Sequence, residues 1–299
     1  MSVLTHIAGI ELGGTKSIAI LGRGREIVDR RVVHTTTPAE TLTTLHDQLV
    51  RWQDEIGIAA IGIASFGPVQ LDPSAPDYGC ILATPKAGWS GAAVAATLVE
   101  GVGVPWRIDT DVNGAALAEW RWGAAQGQNS LCYFTIGTGV GGGLVINGAP
   151  LHGAMHPELG HLRLRRLAGD GFTGVCPFHD DCIEGLISGP ALARRFGTDP
   201  ASVDDGDNRW DAVAHDLAQL VGTILLTTSA QRVLLGGGVM TRRPLLLANV
   251  RALVVAQLGS YLPFLTADSA RSLIDVPALG ADAGPLGAIA LALMAHERG

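Results

Sequence analysis

The sequence predicts an α/β protein built from two similar halves, and three observations carry that prediction. Short apolar runs of strand type alternate with amphipathic helical segments. A strand, glycine turn, strand pattern occurs twice, about 125 residues apart. A third glycine cluster follows another apolar run, in RVLLGGGVM. At 299 residues the chain has room for one large or two modest domains. Hydrophobic residues make up 47% and charged residues 16%, which excludes intrinsic disorder.

In order along the chain, the first hairpin is GIELGGTKSIAIL, turning at Gly13 and Gly14. Thr37-Pro38-Ala39-Glu40 joins an N-cap, a first-turn proline and a capping-box glutamate, and Leu42, Leu45, Leu49 and Trp52 follow at helical spacing. Ala59 to Ser65 and Val104 to Asp109 read as buried strands, with a helix from Asn113 to Trp122 after the second. The second hairpin is TIGTGVGGGLVING, with glycines from Gly137 to Gly143. Further helices are expected near Ala191 to Phe196, Trp210 to Ser229, Pro244 to Leu258 and Gly284 to His296. Pro68 to Ala83 and Asp199 to Asn208 read as loops. The expected domains are residues 1–110, with a last helix of about 284–299 packing back on them, and residues 111–283, with a metal loop over 156–184.

Composition also excludes function classes. A formal charge of -7 opposes general binding to nucleic acid, whose non-specific affinity comes from phosphate neutralisation. No window supplies the 18 or so apolar residues of a membrane span. The first residues lack a basic segment followed by a long apolar stretch, so a cytoplasmic location is expected. Four cysteines are too few for a disulfide scaffold.

Three glycine-rich turns in one chain suggest a ligand with several phosphates, because exposed N–H groups in such turns form anion-binding nests. GGTKS is not a P-loop, since Thr15 separates glycine from lysine, and no dinucleotide-binding fingerprint opens a helix after the first strand. One such cluster alone would be an ordinary hairpin turn. Three, with Glu11 and Lys16 in the first, favour a nucleotide. Asp111, in DTDVNGAALAEW, stands at the C-terminal end of a strand, where ligand crevices of α/β sheets lie. It could accept a hydroxyl proton during phosphoryl transfer, or it or Asp109 could simply cap the following helix.

His161, Cys176, His179 and Cys182, written GH-x14-CPFHDDC, are four nitrogen and sulfur donors with zinc-ligand spacing. A Cys176–Cys182 disulfide is disfavoured by a reducing compartment, and a redox pair by the spacing. Four protein ligands leave no open position, which points to structural zinc and away from a zinc hydrolase. Cys80 and Cys132 read as small buried hydrophobes. Glu158 and Glu184 flank the metal set and could face a polyol or solvent.

Taken together, ELGGTK, SFGPV, TPKAGW, DTDVNGAALAE, TIGTGVGGG, HPELGH, CPFHDDCIEGLISGPA, LLGGGVM and ADAGPLGAIALA resemble the ROK family of sugar kinases, in its bacterial fructokinase branch. The likeness runs in order over nearly the whole chain. It implies two RNase H-like domains of the actin-like ATPase superfamily, with a cleft between them and a zinc-bearing loop. It further implies ATP and Mg²⁺, phosphorylation of a hexose, D-fructose to fructose 6-phosphate first among them, and a homodimer. Mannose, glucose or an N-acetylhexosamine is the alternative substrate, and an idle sugar or nucleotide sensor the alternative class.

Residue by residue, the resemblance makes Asp111 the catalytic base. Glu11, Gly13, Gly14, Thr15 and Lys16 would form the first phosphate turn, and Gly137, Thr138 and Gly139 the second. Pro190 and Gly236, Gly237, Gly238 and Val239 would lie by the nucleotide. Gly67, Asn113, Glu158, His161 and Glu184 would line the sugar site. His161 would offer one ring nitrogen to zinc and the other to the sugar. Glu11 stands where most of the wider family has aspartate, and a water-mediated Mg²⁺ contact suits its extra methylene. His179 replaces a common cysteine, Thr110 a common asparagine, and Asp180 a common glycine, which predicts a local difference in the zinc-loop turn. The phosphate motif starts at Glu11, leaving no room for the N-terminal DNA-binding extension of the family's repressors.

Overall fold

The structure, a computed structural model, describes residues 5–241 and 243–297. In chain order the elements begin β1 (Ile7–Leu12), β2 (Lys16–Arg23), β3 (Glu26–His34), α1 (Pro38–Glu55), β4 (Ile61–Ser65) and α2 (Val94–Val99). They continue β5 (Trp106–Thr110), α3 (Asp111–Trp122), β6 (Ser130–Ile136), β7 (Val140–Ile146), β8 (Ala149–Pro150), α4 (Ile183–Ile187) and α5 (Gly189–Phe196). Last come α6 (Arg209–Thr228), β9 (Arg232–Gly236), α7 (Pro244–Leu258), α8 (Ser269–Leu273), β10 (Ile274–Asp275) and α9 (Ala283–His296). Of the last helix expected over 284–299, residues 298 and 299 lie outside the described residues, as do residues 1–4 of the expected first domain.

The chain forms two compact units. The first comprises residues 1–126, 148–157 and 279–299, the second 127–147 and 158–278. The first unit's sheet runs β3-β2-β1-β4-β5. β1 pairs antiparallel with β2 through the glycine turn and parallel with β4. In the second unit the order is β10-β9-β6-β7, where β6 pairs antiparallel with β7 and parallel with β9. Each glycine hairpin is thus built into a sheet in the same way, one arm facing its hairpin partner and the same arm flanked by a parallel strand.

The boundary differs from the one expected at residue 110. α3 stays with the first unit because it packs on α9 at backbone distance: a Cβ on Gly287 would stand 2.3 Å from the Gly114 carbonyl carbon. α9 also lies on β1 and β4, where a Cβ on Gly62 would come within 1.9 Å of the Ala288 carbonyl oxygen. Only glycine admits that approach. α1 starts at the capped proline, with the Thr37 hydroxyl accepting from the Glu40 amide, and buries Leu42, Leu45, Leu49 and Trp52 against the sheet core. The second core gathers Phe134, Leu186, Trp210, Leu217, Val221 and Leu235. Among the described residues, no helix is long and apolar enough to cross a membrane.

Candidate active site

In the first unit, the turn after β1 has its carbonyls engaged. The Thr35 hydroxyl donates to the Gly13 carbonyl at 2.7 Å, the Thr35 amide to Thr15 at 2.9 Å, and Lys86 Nζ to Gly14 at 2.5 Å. Gly14, Thr15 and Lys16 are exposed. With those acceptors satisfied, the turn's remaining capacity is weighted toward N–H donors, the chemistry of an anion nest. Glu11 lies just before it. A Cβ on Gly284 would stand 2.1 Å from Glu11 Oε1, so the carboxyl reaches the start of α9 only because residue 284 is glycine. Burial, reinforced by the charge of Asp111, raises the Glu11 pKa to about 7, against the pull of Lys16 and Arg30.

β5 and α3 place the carboxylates. The helix begins at Asp111 itself, two residues before the sequence suggests, and its cap is Thr110, whose hydroxyl accepts from the Asn113 amide at 3.2 Å. Neither aspartate is therefore the cap. Asp111 Oδ1 accepts from the Val112 amide at 2.8 Å, and burial nevertheless raises the Asp111 pKa to about 6. Asp109 is fully buried. Its Oδ1 accepts from the Thr110 amide at 2.8 Å and from Asn113 Nδ2 at 2.7 Å, while its Oδ2 stands 3.0 Å from His152 Nε2. Gly67 begins the turn after β4, against the buried ring of His156.

In the second unit, several expected residues converge on the β6–β7 turn. The Gly189 amide donates to the Gly137 carbonyl at 2.7 Å, bringing the start of α5 and Pro190 to that turn. The Val239 amide donates to Ile136 at 3.1 Å, and a Cβ on Gly237 would lie 2.3 Å from the Ile136 carbonyl oxygen. Glu184 Oε2 accepts from the Val140 amide at 3.0 Å, so this carboxylate braces the turn. Thr138, Pro190 and Gly238 are exposed; Gly236 is buried beneath them. Glu158 is exposed, one turn before His161.

The metal set assembles close by in sequence. The ligand atoms of His161, Cys176, His179 and Cys182 all lie within 4.8 Å of one another. Zinc bonds of roughly 2.0–2.3 Å at tetrahedral angles put nitrogen and sulfur donors about 3.6 Å apart. Cys182 Sγ is 3.6 Å and Cys176 Sγ 3.8 Å from His161 Nδ1, and Cys176 Sγ is 3.9 Å from His179 Nδ1. The donors fit zinc, and all four cysteines of the chain are free thiols. His161 turns Nδ1 to the thiols, which leaves its Nε2 for a different partner. Asp180 has φ 49, the left-handed region favoured by glycine, and exchanges backbone hydrogen bonds with Cys176. The loop thus keeps a glycine-type turn where the sequence suggested a different one.

The ROK family model matches residues 7–295. This chain belongs to the ROK family. The fructokinase of Zymomonas mobilis subsp. mobilis is 41% identical, with 97% of each chain covered. That of Streptococcus mutans is 34% identical over 95% of this ROK chain and 96% of its own. Among solved structures, the ROK hexokinase from Thermus thermophilus superposes with a TM-score of 0.77 at 28% identity, over 99% of this chain and 100% of that one.

Sequence reasoning missed Lys86, Thr35, Gly284, His152 and His156, and read Asp109 only as a possible cap. Lys86 lies in TPKAGW, one of the resemblance blocks, but nothing local says that it folds back onto a turn 72 positions earlier. Gly284 and Glu11 are likewise joined only by the sheet and the returning helix.

Proposed function

We infer that this chain is a ROK kinase that uses ATP to phosphorylate D-fructose to fructose 6-phosphate. The observation that carries the reading is identity of 34–41% to fructokinases over nearly the whole chain. The geometry supports roles for its residues. Asp111, with a pKa of about 6, is ionised at neutral pH and still basic enough to take a proton. As the primary 6-hydroxyl oxygen bonds to the γ-phosphorus, its proton passes to the Asp111 carboxylate. The bond from that phosphorus to the bridging oxygen breaks, and ADP leaves with the electron pair.

The amides of Gly13, Gly14 and Thr15, with Lys16, hold phosphate oxygens in the first unit, and those of Thr138 and Gly139 do so in the second, in a turn closed by the Gly137 amide donating to the Gly139 carbonyl at 2.9 Å. Gly236 to Val239 and Pro190 lie by the adenosine. Gly67, Asn113, Glu158, His161 and Glu184 face the sugar. Mg²⁺, bound with ATP, neutralises phosphate charge. Glu11, a largely buried carboxyl beside Asp111, would offer it a hard oxygen ligand through water. Zinc on His161, Cys176, His179 and Cys182 is structural: it fixes the segment that carries His161 and Glu184. The resemblance also supports a cytoplasmic homodimer.

The test is a coupled ADP-release assay with Mg-ATP against fructose, mannose, glucose and N-acetylglucosamine, with Asp111→Asn as the blank. Turnover led by fructose and lost in the variant is expected. Turnover led by another hexose would overturn the substrate, and sugar binding without turnover would make the chain a sensor.

A further inference from the structure

We propose that His156 is a positioning residue of the sugar site: as a neutral hydrogen-bond acceptor it fixes the Gly67–Pro68–Val69 turn. The proposal rests on the reading of Gly67 and Asn113 as sugar-facing and deepens it. His156 is 4% exposed and lies in the first unit, with Gly67, Asp109, Asn113 and His152. The Val69 amide donates to His156 Nε2 at 3.1 Å. A Cβ on Gly67 would stand 3.5 Å from His156 Cε1 and 3.7 Å from Nε2, so this edge of the ring lies against the turn that follows β4.

That hydrogen bond decides the tautomer. An Nε2 that accepts carries no proton, so the proton is on Nδ1, and His156 also bonds to the backbone of Pro157, which has only a carbonyl to offer. Adding a second proton would replace the acceptor at Nε2 with a donor facing the Val69 N–H, and the turn would lose its anchor.

The surroundings keep the ring neutral. Burial holds the His156 pKa below the usual histidine value, with His152 pushing the same way and Asp109 and the Pro157 carbonyl opposing. Asp109 Oδ1 also accepts from the Asn113 side-chain amide, Nδ2, at 2.7 Å. This buried carboxylate fixes Asn113 by a direct bond, while its pull on His156 toward the protonated form is outweighed by burial of the ring. His156 touches neither sugar nor nucleotide in this reading; it acts through the turn.

The experiment compares wild type, His156→Gln and His156→Ala for fructose KM, ATP KM, kcat and Tm between pH 5 and 8. Glutamine can place an amide oxygen where Nε2 stands and cannot be protonated. In His156→Ala, fructose KM should rise about tenfold, the scale of a lost buried hydrogen bond, with ATP KM within about twofold. In His156→Gln most of that loss should be recovered. The ratio of wild-type to glutamine-variant fructose KM should rise as the pH falls below the ordinary histidine range, a comparison in which Asp111 titrates alike in both. If His156→Ala does not fold, the glutamine variant and this ratio carry the test. Equal rises in fructose and ATP KM, no recovery by glutamine, or a pH-independent ratio would overturn the proposal. Absence of fructose turnover by wild type would instead overturn the function on which it rests.

Discussion

The strongest consequence of the site geometry is the acid limb of its pH profile. Burial raises the Asp111 pKa from 3.8 to about 6, which corresponds to about 3 kcal/mol of differential cost for the charged form. A base must be ionised to act, so kcat/KM should fall tenfold per pH unit below about 6 and stand near one tenth of its plateau at pH 5. An ordinary aspartate would leave more than about 90% of the plateau at that pH. The assay is initial rate at low fructose and saturating Mg-ATP, in overlapping buffers from pH 4.5 to 8.5.

The Glu11 and Asp111 carboxyls share a field, so their protons leave in two linked steps; Asp111 loses its proton first, while Glu11 is still neutral, and Glu11→Gln should leave the limb near pH 6 in place. A limb near pH 4 in wild type, or its disappearance in Glu11→Gln, would refute the assignment of the base. Stability gives an independent check. The folded state holds the Asp111 proton more tightly than the unfolded chain, so its contribution favours folding at low pH and is lost as pH rises from about 4 through about 6. Asp111→Asn should therefore melt a few degrees higher than wild type at pH 7.5 while its kcat drops at least about 10²-fold.

Cys176→Ser should lower zinc from one per chain toward none and lower Tm with it, measured by elemental analysis and calorimetry; wild type free of zinc after purification without chelators would refute the metal reading. Gly284→Ala should push the Glu11 carboxyl from its place and raise the Mg²⁺ concentration for half-maximal rate several-fold, with fructose KM unmoved; an unchanged Mg²⁺ dependence would remove Glu11 from the metal's surroundings. Glu119 is fully buried, and its two oxygens accept from the Ala124 and Leu279 amides at 2.8 Å each. Glu119→Gln keeps only one acceptor and should cost about 1–3 kcal/mol in denaturant unfolding.

What the sequence made legible was local or chemically rare. The zinc set could be read because its donors fall within one short stretch and few other functions use that spacing. The glycine hairpins and the capped start of α1 follow from backbone rules that act over a few residues. Asp111 was legible as a strand-end carboxylate, but its freedom from capping depended on Thr110, a residue with the same capping capacity one position earlier. Lys86, Glu119, Gly284 and His156 were not legible, because each acts on a backbone group or carboxyl 72 to 273 positions away and nothing in its neighbours marks that partner. The boundary near residue 110 failed for a related reason: a strand end looks like a domain end until the helix that covers it is known to come from residues 283–296.

That returning helix also sets a timetable. The sheet of the first unit is made of strands between Ile7 and Thr110, yet the surface of β1 and β4 against which Ala288 and Ala292 press stays bare until residues 283–296 have left the ribosome. At roughly 5–20 residues per second, the earliest strands wait tens of seconds for their cover, while every segment of the second unit has already emerged. The part of the chain synthesised first is therefore the part that finishes folding last, and during synthesis its face of Gly9, Gly62, Ile7, Ile18 and Ile20 is the one a chaperone would meet.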